Sequence, residues 1–376
     1  MNKLTSQTLD TLLNYSDSPV LSIYIPTHRY PTGPNISEDQ TRFKNLVKAG
    51  IDQWREVTDE KTVKHLAERL DITLNDVSFW DNTTESLAIF ATKDSVQMIN
   101  LPIECEEHIF VGETFDVTPL LITQEINQPY YVLALALQSP KLFRGDMYDI
   151  QPVDIELPAS YKQALNIDET RPEGHANRTI DGAHGQGDPK RTEQEDRLRY
   201  LRIIDDKIVD SSDVDSSLPF IIASTENEAA DFKSLTKLTN VIDTVLPGNH
   251  TATPTQELHT LSWQIFQAVS GDRERQSILD HFDQKTSAQK TSVDDKTIYD
   301  AAIDGRIETL LIDMCETTTD SVNDSAGQKL LIRFPSGYGK FLQDLVRTVV
   351  SQSGKIVCLD KTFIPQQATT AAIFRY

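Results

Sequence analysis

His184-Gly185-Gln186-Gly187-Asp188-Pro189, continuing as KRTEQEDRLRYLRII to Ile204, sits between two apolar runs, YYVLALAL from Tyr130 and LPFIIAS from Leu218. Each run is rich in β-branched and aromatic residues and reads as a buried strand. The strand from Tyr130 returns through KLFRGD as a hairpin. The segment from Pro158 to Pro189 is polar, carries four glycines and lacks periodicity, so it reads as an exposed loop. Pro189 suits the first turn of a helix, where its missing N–H costs nothing. Leu198, Leu201, Ile204 and Ile208 then form one apolar stripe, with Arg197, Arg199 and Arg202 off it. Strand, loop, helix and strand make an α/β domain expected to span 127–250. Within the loop, glycines on both sides of Gln186 allow close approach of another molecule, and the side-chain amide has the groups to orient a water or hydroxyl.

The flanks have the same texture. A short helix (4–15) precedes PVLSIYIPT, an alternating strand. A loop from Thr27 to Asp39 is expected next, followed by a helix from Gln40 to Val57 with Phe43, Leu46, Val47, Ile51 and Trp54 on one face. SLAIFAT and VQMINL add strands, and this domain is placed at 1–126. Pro247-Gly248-Asn249-His250 reads as a linker. After it, a long helix from about Thr255 opens a third domain (251–376) with a helix over DDKTIYDAAIDGR and another over GKFLQDLVRTVVSQSG. ETLLID, KLLIRF, KIVCLD and TAAIFRY are its apolar strands, the last expected to be buried. The fold class is therefore α/β, three domains with mixed sheets flanked by helices.

Hydrophobic residues make up 38% and charged residues 25% of the 376, the balance of a globular chain. No basic n-region leads into an apolar core at the start, and no apolar run approaches the roughly 20 residues of a membrane span, so a cytoplasmic protein without a membrane partner is expected. Cys105, Cys315 and Cys358 are odd in number and form no CxxC pair, so neither a disulfide framework nor a zinc site is implied and all three are expected as reduced, buried thiols. The net charge of −21 argues against a general nucleic-acid binder, DNA included. The charge is uneven, however: 20–50 carries four basic against two acidic residues and 171–202 seven against six, leaving −24 on the remainder. Any RNA contact is expected at those two islands.

The segment HGQGDPKRTEQEDRLRYLR resembles the Gly-Gly-Gln loop and following Arg-rich helix of the archaeo-eukaryotic release-factor and Pelota superfamily. Gly185 and Gln186 match the last two motif positions, and His184 stands where the first glycine would be. SIYIPTHR resembles that family's opening strand. PNISEDQTRFKNLVKAGI resembles the region of its Asn-Ile-Lys-Ser decoding motif, with Asn35 and Ile36 matching and Ser37 following directly. YDAAIDGRIETLLID and TAAIFRY resemble the third domain of the bacterial branch, closest to the group that includes the ribosome-hibernation factor Balon. The resemblance implies a release-factor/Pelota-like three-domain architecture and binding in the ribosomal A site, against 16S and 23S ribosomal RNA. It also implies elongation factor Tu or another translational GTPase as a partner of the C-terminal domain. Thr27, His28, Arg29, Asn35, Arg42 and Lys44 would face the decoding centre, and His184, Gly185, Gln186, Gly187, Arg197 and Arg199 the peptidyl-transferase centre.

The residues alone leave other readings open. Arg42 and Lys44 equally suit the solvated side of an amphipathic helix, and His28 with Arg29 a structural pair at a strand end. Arg197, Arg199 and Arg202 equally balance Glu193, Glu195 and Asp196. His184 has no second ligand at a recognised spacing, so no metal and no cofactor are expected. A binding protein rather than an enzyme is the first expectation, and a peptidyl-tRNA hydrolase using Gln186 is the second. A nuclease is disfavoured for want of paired carboxylates.

Overall fold

A computed structural model describes residues 3–166, 189–319 and 328–376, apart from Ser16, Ser18, Tyr30, Ser336 and Gly337. The N-terminal portion runs α1 (Ser6–Leu13), β1 (Val20–Pro26), α2 (Gly33–Arg55), α3 (Glu60–Leu74), α4 (Val77–Trp80), β2 (Ser86–Ala91), β3 (Val96–Leu101), β4 (Glu104–Cys105), β5 (His108–Gly112) and α5 (Thr118–Ile126). Its antiparallel sheet has the order β3-β2-β1-β5. Leu21, Ile23 and Ile25 project from β1 onto Phe43, Val47, Ile51 and Trp54 of α2, and Leu66 and Trp80 close the same core. The α2 helix begins at Gly33, seven residues before the expected Gln40. Pro34 sits in its first turn, where a proline N–H would be unused, and a charged residue, Asp39, holds an inward position with 0% exposure. That charge interrupts the apolar repeat and hides the first two turns from a periodicity reading.

The central portion is a unit of its own, spanning 128–271. It contains β6 (Tyr130–Ala134), β7 (Lys141–Gly145), β8 (Ile150–Pro152), α6 (Tyr161–Ala164), α7 (Pro189–Val209), β9 (Phe220–Ser224), α8 (Glu226–Leu235), β10 (Leu246–Pro247) and the first half of α9 (Thr255–Ser287). The sheet order is β10-β9-β6-β7-β8, with β6, β9 and β10 parallel and the expected β6/β7 hairpin antiparallel. Strand alternation explains why β6 and β9 read as continuous apolar runs. Tyr131, Leu133, Phe220 and Ile222 face α7 and α8, packing on Tyr200, Leu201, Ile204, Ile208 and Phe232. Tyr130, Val132, Ala134, Ile221 and Ala223 face the other way, onto Leu258 and Phe266 of α9. That packing carries the unit past the expected boundary at 250/251 as far as Gly271. The presumed linker is a tight turn, with Gly248 at φ +112.

The C-terminal portion joins the N-terminal one in a single unit, 1–127 with 272–376. It holds the second half of α9, β11 (Thr291–Ser292), α10 (Asp295–Ile303), β12 (Ile307–Asp313), β13 (Cys315–Thr319), β14 (Gln328–Ile332), α11 (Lys340–Ser351), β15 (Lys355–Leu359) and β16 (Thr370–Phe374). One sheet has the order β11-β16-β12-β15, and the buried β16 is paired on both edges. Phe282 of α9 covers Leu311, Val357 and Ile373 on one face. A second, three-stranded sheet, β13-β14-β4, borrows β4 from the N-terminal portion. Beneath it, Phe334 stacks on His108 at 3.8 Å between ring centres, and the Tyr338 hydroxyl donates to the buried Asp116 carboxylate at 2.7 Å. Arg347 of α11 donates to the Leu12 and Leu13 carbonyls, capping α1.

Two of the cysteines differ from expectation. Cys315 and Cys358 form a disulfide, with Cα atoms 5.6 Å apart and a sequence separation of 43, while Cys105 is free and buried. The pairing was unreadable from spacing because it joins strands of two different sheets, β13 and β15, brought together only by the fold. Gly305, at φ +67, ends α10, its N–H donating to Ala302 and that of Arg306 to Ala301 at 3.0 and 2.9 Å. Gly305→Ala forces a Cβ into the left-handed region and is expected to destabilise this unit by about 1 kcal/mol in urea unfolding. An unchanged midpoint would show that the turn relaxes without cost.

Candidate functional site

Three of the N-terminal candidates, His28, Arg29 and Arg42, are engaged by four carboxylates, Glu38, Asp39, Glu85 and Glu107. Thr27 directly follows β1, its N–H donating to Glu85 O at 2.9 Å and its hydroxyl to Thr84 O at 2.6 Å. Asp39 receives the backbone N–H of His28 at 2.9 Å, and its other oxygen lies 2.8 Å from His28 Nδ1. Arg29 Nε donates to Glu85 at 2.6 Å. Arg42, one turn beyond Asp39, donates to Pro26 O at 2.9 Å and to Glu38 at 2.8 Å, and lies 3.7 Å from Asp39 and 3.3 Å from Glu107. Of the candidates here, Thr27, His28, Arg29 and Arg42 thus lock the end of β1 to α2 and to the start of β2. Asn35 lies in the first turns of α2, half-buried, and Lys44 projects from the same helix, exposed and with no ion pair among the described residues.

Beside this cluster, Ser37, Glu38, Thr41, Arg42, Asn45, Leu46, Ala49 and Glu107 line an open groove of about 740 Å³. Its walls carry hydroxyls, an amide and a guanidinium already matched by acids. Glu38 and Asp39 were visible as the i−4 and i−3 neighbours of Arg42. Glu85 and Glu107 were not, since only sheet pairing brings them close. Lys48, one turn after Lys44 and likewise exposed, was passed over at sequence level except as part of the basic island.

In the central unit the three arginines of α7 have different surroundings. Arg197 is paired with Asp231 of α8. Arg199 and Arg202 are exposed and form no ion pair among the described residues, and Asp206, the acid one turn on from Arg202, is engaged by Lys237 at 2.6 Å. Tyr200, between the arginines, points inward and donates to Ala136 O at 2.9 Å, burial pushing its hydroxyl pKa up to about 12. The helix therefore buries its Tyr200/Leu201/Ile204/Ile208 face and exposes two guanidinium groups that are unmatched among the described residues. His184, Gly185, Gln186 and Gly187 lie outside the described residues. Among the described residues no group of three or more His, Cys, Asp or Glu is arranged to hold a metal ion, and no helix is long and apolar enough to cross a membrane.

Residues 129–306, which contain the glycine–glutamine segment of the sequence, α7 and all of the central sheet, match the family model of bacterial archaeo-eukaryotic release factor family 3. Over that segment, a little under half of the chain, the protein is similar to the bacterial archaeo-eukaryotic release factors. Comparison with curated protein sequences finds no match. Among solved structures, the archaeal translation termination factor aRF1 is 12% identical, covering 99% of this chain and 97% of its own, with a TM-score of 0.24. Pelota of Archaeoglobus fulgidus is 12% identical over 77% of this chain and 79% of its own, with a TM-score of 0.33. Dom34 of S. cerevisiae, a translation termination-like factor described as interacting with Hbs1, is 13% identical over 78% and 73%, with a TM-score of 0.34. All three are distant likenesses. The family match spans the central unit and runs through α10, so the chain's resemblance at the glycine–glutamine segment and at the start of the C-terminal portion falls within the matched residues.

Proposed function

We propose that this release-factor-like protein is a non-enzymatic factor that occupies the ribosomal A site and suppresses translation by blocking tRNA entry. Its N-terminal portion meets 16S ribosomal RNA at the decoding centre, and the loop of Gln186 meets 23S ribosomal RNA at the peptidyl-transferase centre. Elongation factor Tu or another translational GTPase accompanies it, and its place of action is the cytoplasm. The reading is carried by the family match over 129–306, a segment in which Gly185-Gln186 leads directly into α7 with its two unmatched arginines. Arginine without an internal acid partner is the group best suited to sequence-independent phosphate contact. The acidic remainder of the chain keeps such contact local.

Sedimentation of the purified chain with ribosomes over graded salt tests the proposal, with binding expected at low salt and a steep decline as salt rises. Failure to co-sediment in dilute salt would sink it. The same Gly185-Gln186 pair supports a second reading, hydrolysis of peptidyl-tRNA with Gln186 positioning water. Single-turnover peptide release from stalled ribosomes separates the two. The wild-type chain and Gln186→Ala are expected to release no more than buffer, and release abolished by Gln186→Ala would replace the blocking factor by an enzyme.

A further inference from the structure

We propose that the Cys315–Cys358 disulfide is a redox clamp on the three-stranded sheet β13-β14-β4, closed when oxidised and freeing that sheet to loosen when reduced. The bond sits where the chain leaves one sheet for another. β12 pairs with β15 in parallel, Ile312 opposite Cys358. Two residues after the end of β12, at Cys315, the chain enters β13. The disulfide therefore fastens the first residue of the second sheet to an edge strand of the first.

What the clamp secures is thin. β14 meets β4 over two residue pairs, Leu331 with Glu104 and Ile332 with Cys105. Two further hydrogen bonds extend the junction, Glu106 N–H to Ile332 O at 2.9 Å and Phe334 N–H to the Glu106 carboxylate at 3.0 Å. So short a ladder has little cooperative strength of its own, and local opening concentrates where few backbone bonds hold a segment. The Phe334–His108 stack beneath depends on β14 staying in register.

The chemistry uses a dithiol reductant. Its thiolate attacks Sγ of Cys358, which is half-buried, rather than that of Cys315, which is 1% exposed. The S–S bond breaks, Cys315 leaves as a thiolate and takes a proton. The reductant's second thiol then displaces Cys358 from the mixed disulfide, so two electrons and two protons reach the protein and the reductant becomes a disulfide. Cys105 is no competitor, because burial pushes its thiol pKa up to about 12 and keeps it protonated. Oxidised glutathione runs the exchange in reverse.

The clamp does not rest on the ribosomal reading, and its test uses no ribosomes. The full chain is equilibrated with oxidised glutathione or with dithiothreitol, its thiols are counted after denaturation by alkylation and mass, and hydrogen exchange is followed by peptide. One thiol is expected after the first treatment and three after the second. Amide exchange in 104–106 and 328–332 is expected to accelerate about tenfold or more on reduction, with β1, β2, β6 and β9 unchanged. The double variant C315S/C358S should exchange like the reduced chain under both treatments. Three thiols after oxidised glutathione, equal exchange in both states, or acceleration spread equally over β1 and β2 would each overturn the clamp.

Discussion

Asp39→Ala is expected to destabilise the unit formed by 1–127 and 272–376 by about 2–4 kcal/mol, because it strands groups organised around one buried carboxylate. Asp39 has 0% exposure and accepts the His28 backbone N–H at 2.9 Å and the His28 ring at 2.8 Å, with Arg42 3.7 Å away. Removing it leaves the His28 amide without its acceptor and takes one acid from a guanidinium that keeps Glu38 and Glu107. The guanidinium and imidazole remain partly solvated, which places the cost below that of breaking a fully buried pair. Asp39→Asn keeps the shape and one acceptor oxygen and should lose about half as much. Arg42→Ala should lose less again, about 1 kcal/mol or under, since Pro26 O and the exposed Glu38 regain water. Urea unfolding of the three variants, with unchanged dependence on denaturant, measures the order. A loss below about 1 kcal/mol for Asp39→Ala would mean that Asp39 does not organise the end of β1.

How much of this was legible depends on whether each signal is local. β6 and β9 announced themselves because both faces are covered and all but Ser224 are aliphatic or aromatic, and α7 because Leu201, Ile204 and Ile208 share a face. The start of α2 was obscured by Pro34 and by Asp39, a charge in a core position whose partner His28 lies eleven residues back. The sharing of β4 with β13 and β14 follows from contact between the two ends of the chain, and the Cys315–Cys358 pairing from contact between strands of two sheets, and neither leaves a periodic trace. Thr27, His28, Arg29 and Arg42 do come together at the end of β1. Their carboxylate partners Glu85 and Glu107 required the sheet, and the acids around Arg42, Glu38, Asp39 and Glu107, are why it is expected to be a poorer phosphate ligand than Lys44.

That distinction gives the larger functional prediction. Charge reversal at the two unmatched arginines of α7, Arg199→Glu with Arg202→Glu, is expected to weaken co-sedimentation with ribosomes by about tenfold or more, and to flatten the dependence of log affinity on log salt by about two. Both side chains are exposed and without ion pairs among the described residues, and both lie off the stripe that packs on the central sheet, so the fold should survive. Lys44→Glu should weaken binding about threefold with a slope change of about one, as expected for a single exposed cation. Arg42→Glu should change the slope less than Lys44→Glu does, because its positive charge is already offset by Glu38, Asp39 and Glu107. Equal slopes for the α7 double variant and the wild-type chain would remove these arginines from the interface. A larger slope change for Arg42→Glu than for Lys44→Glu would show instead that the acidic partners of Arg42 give way when RNA arrives.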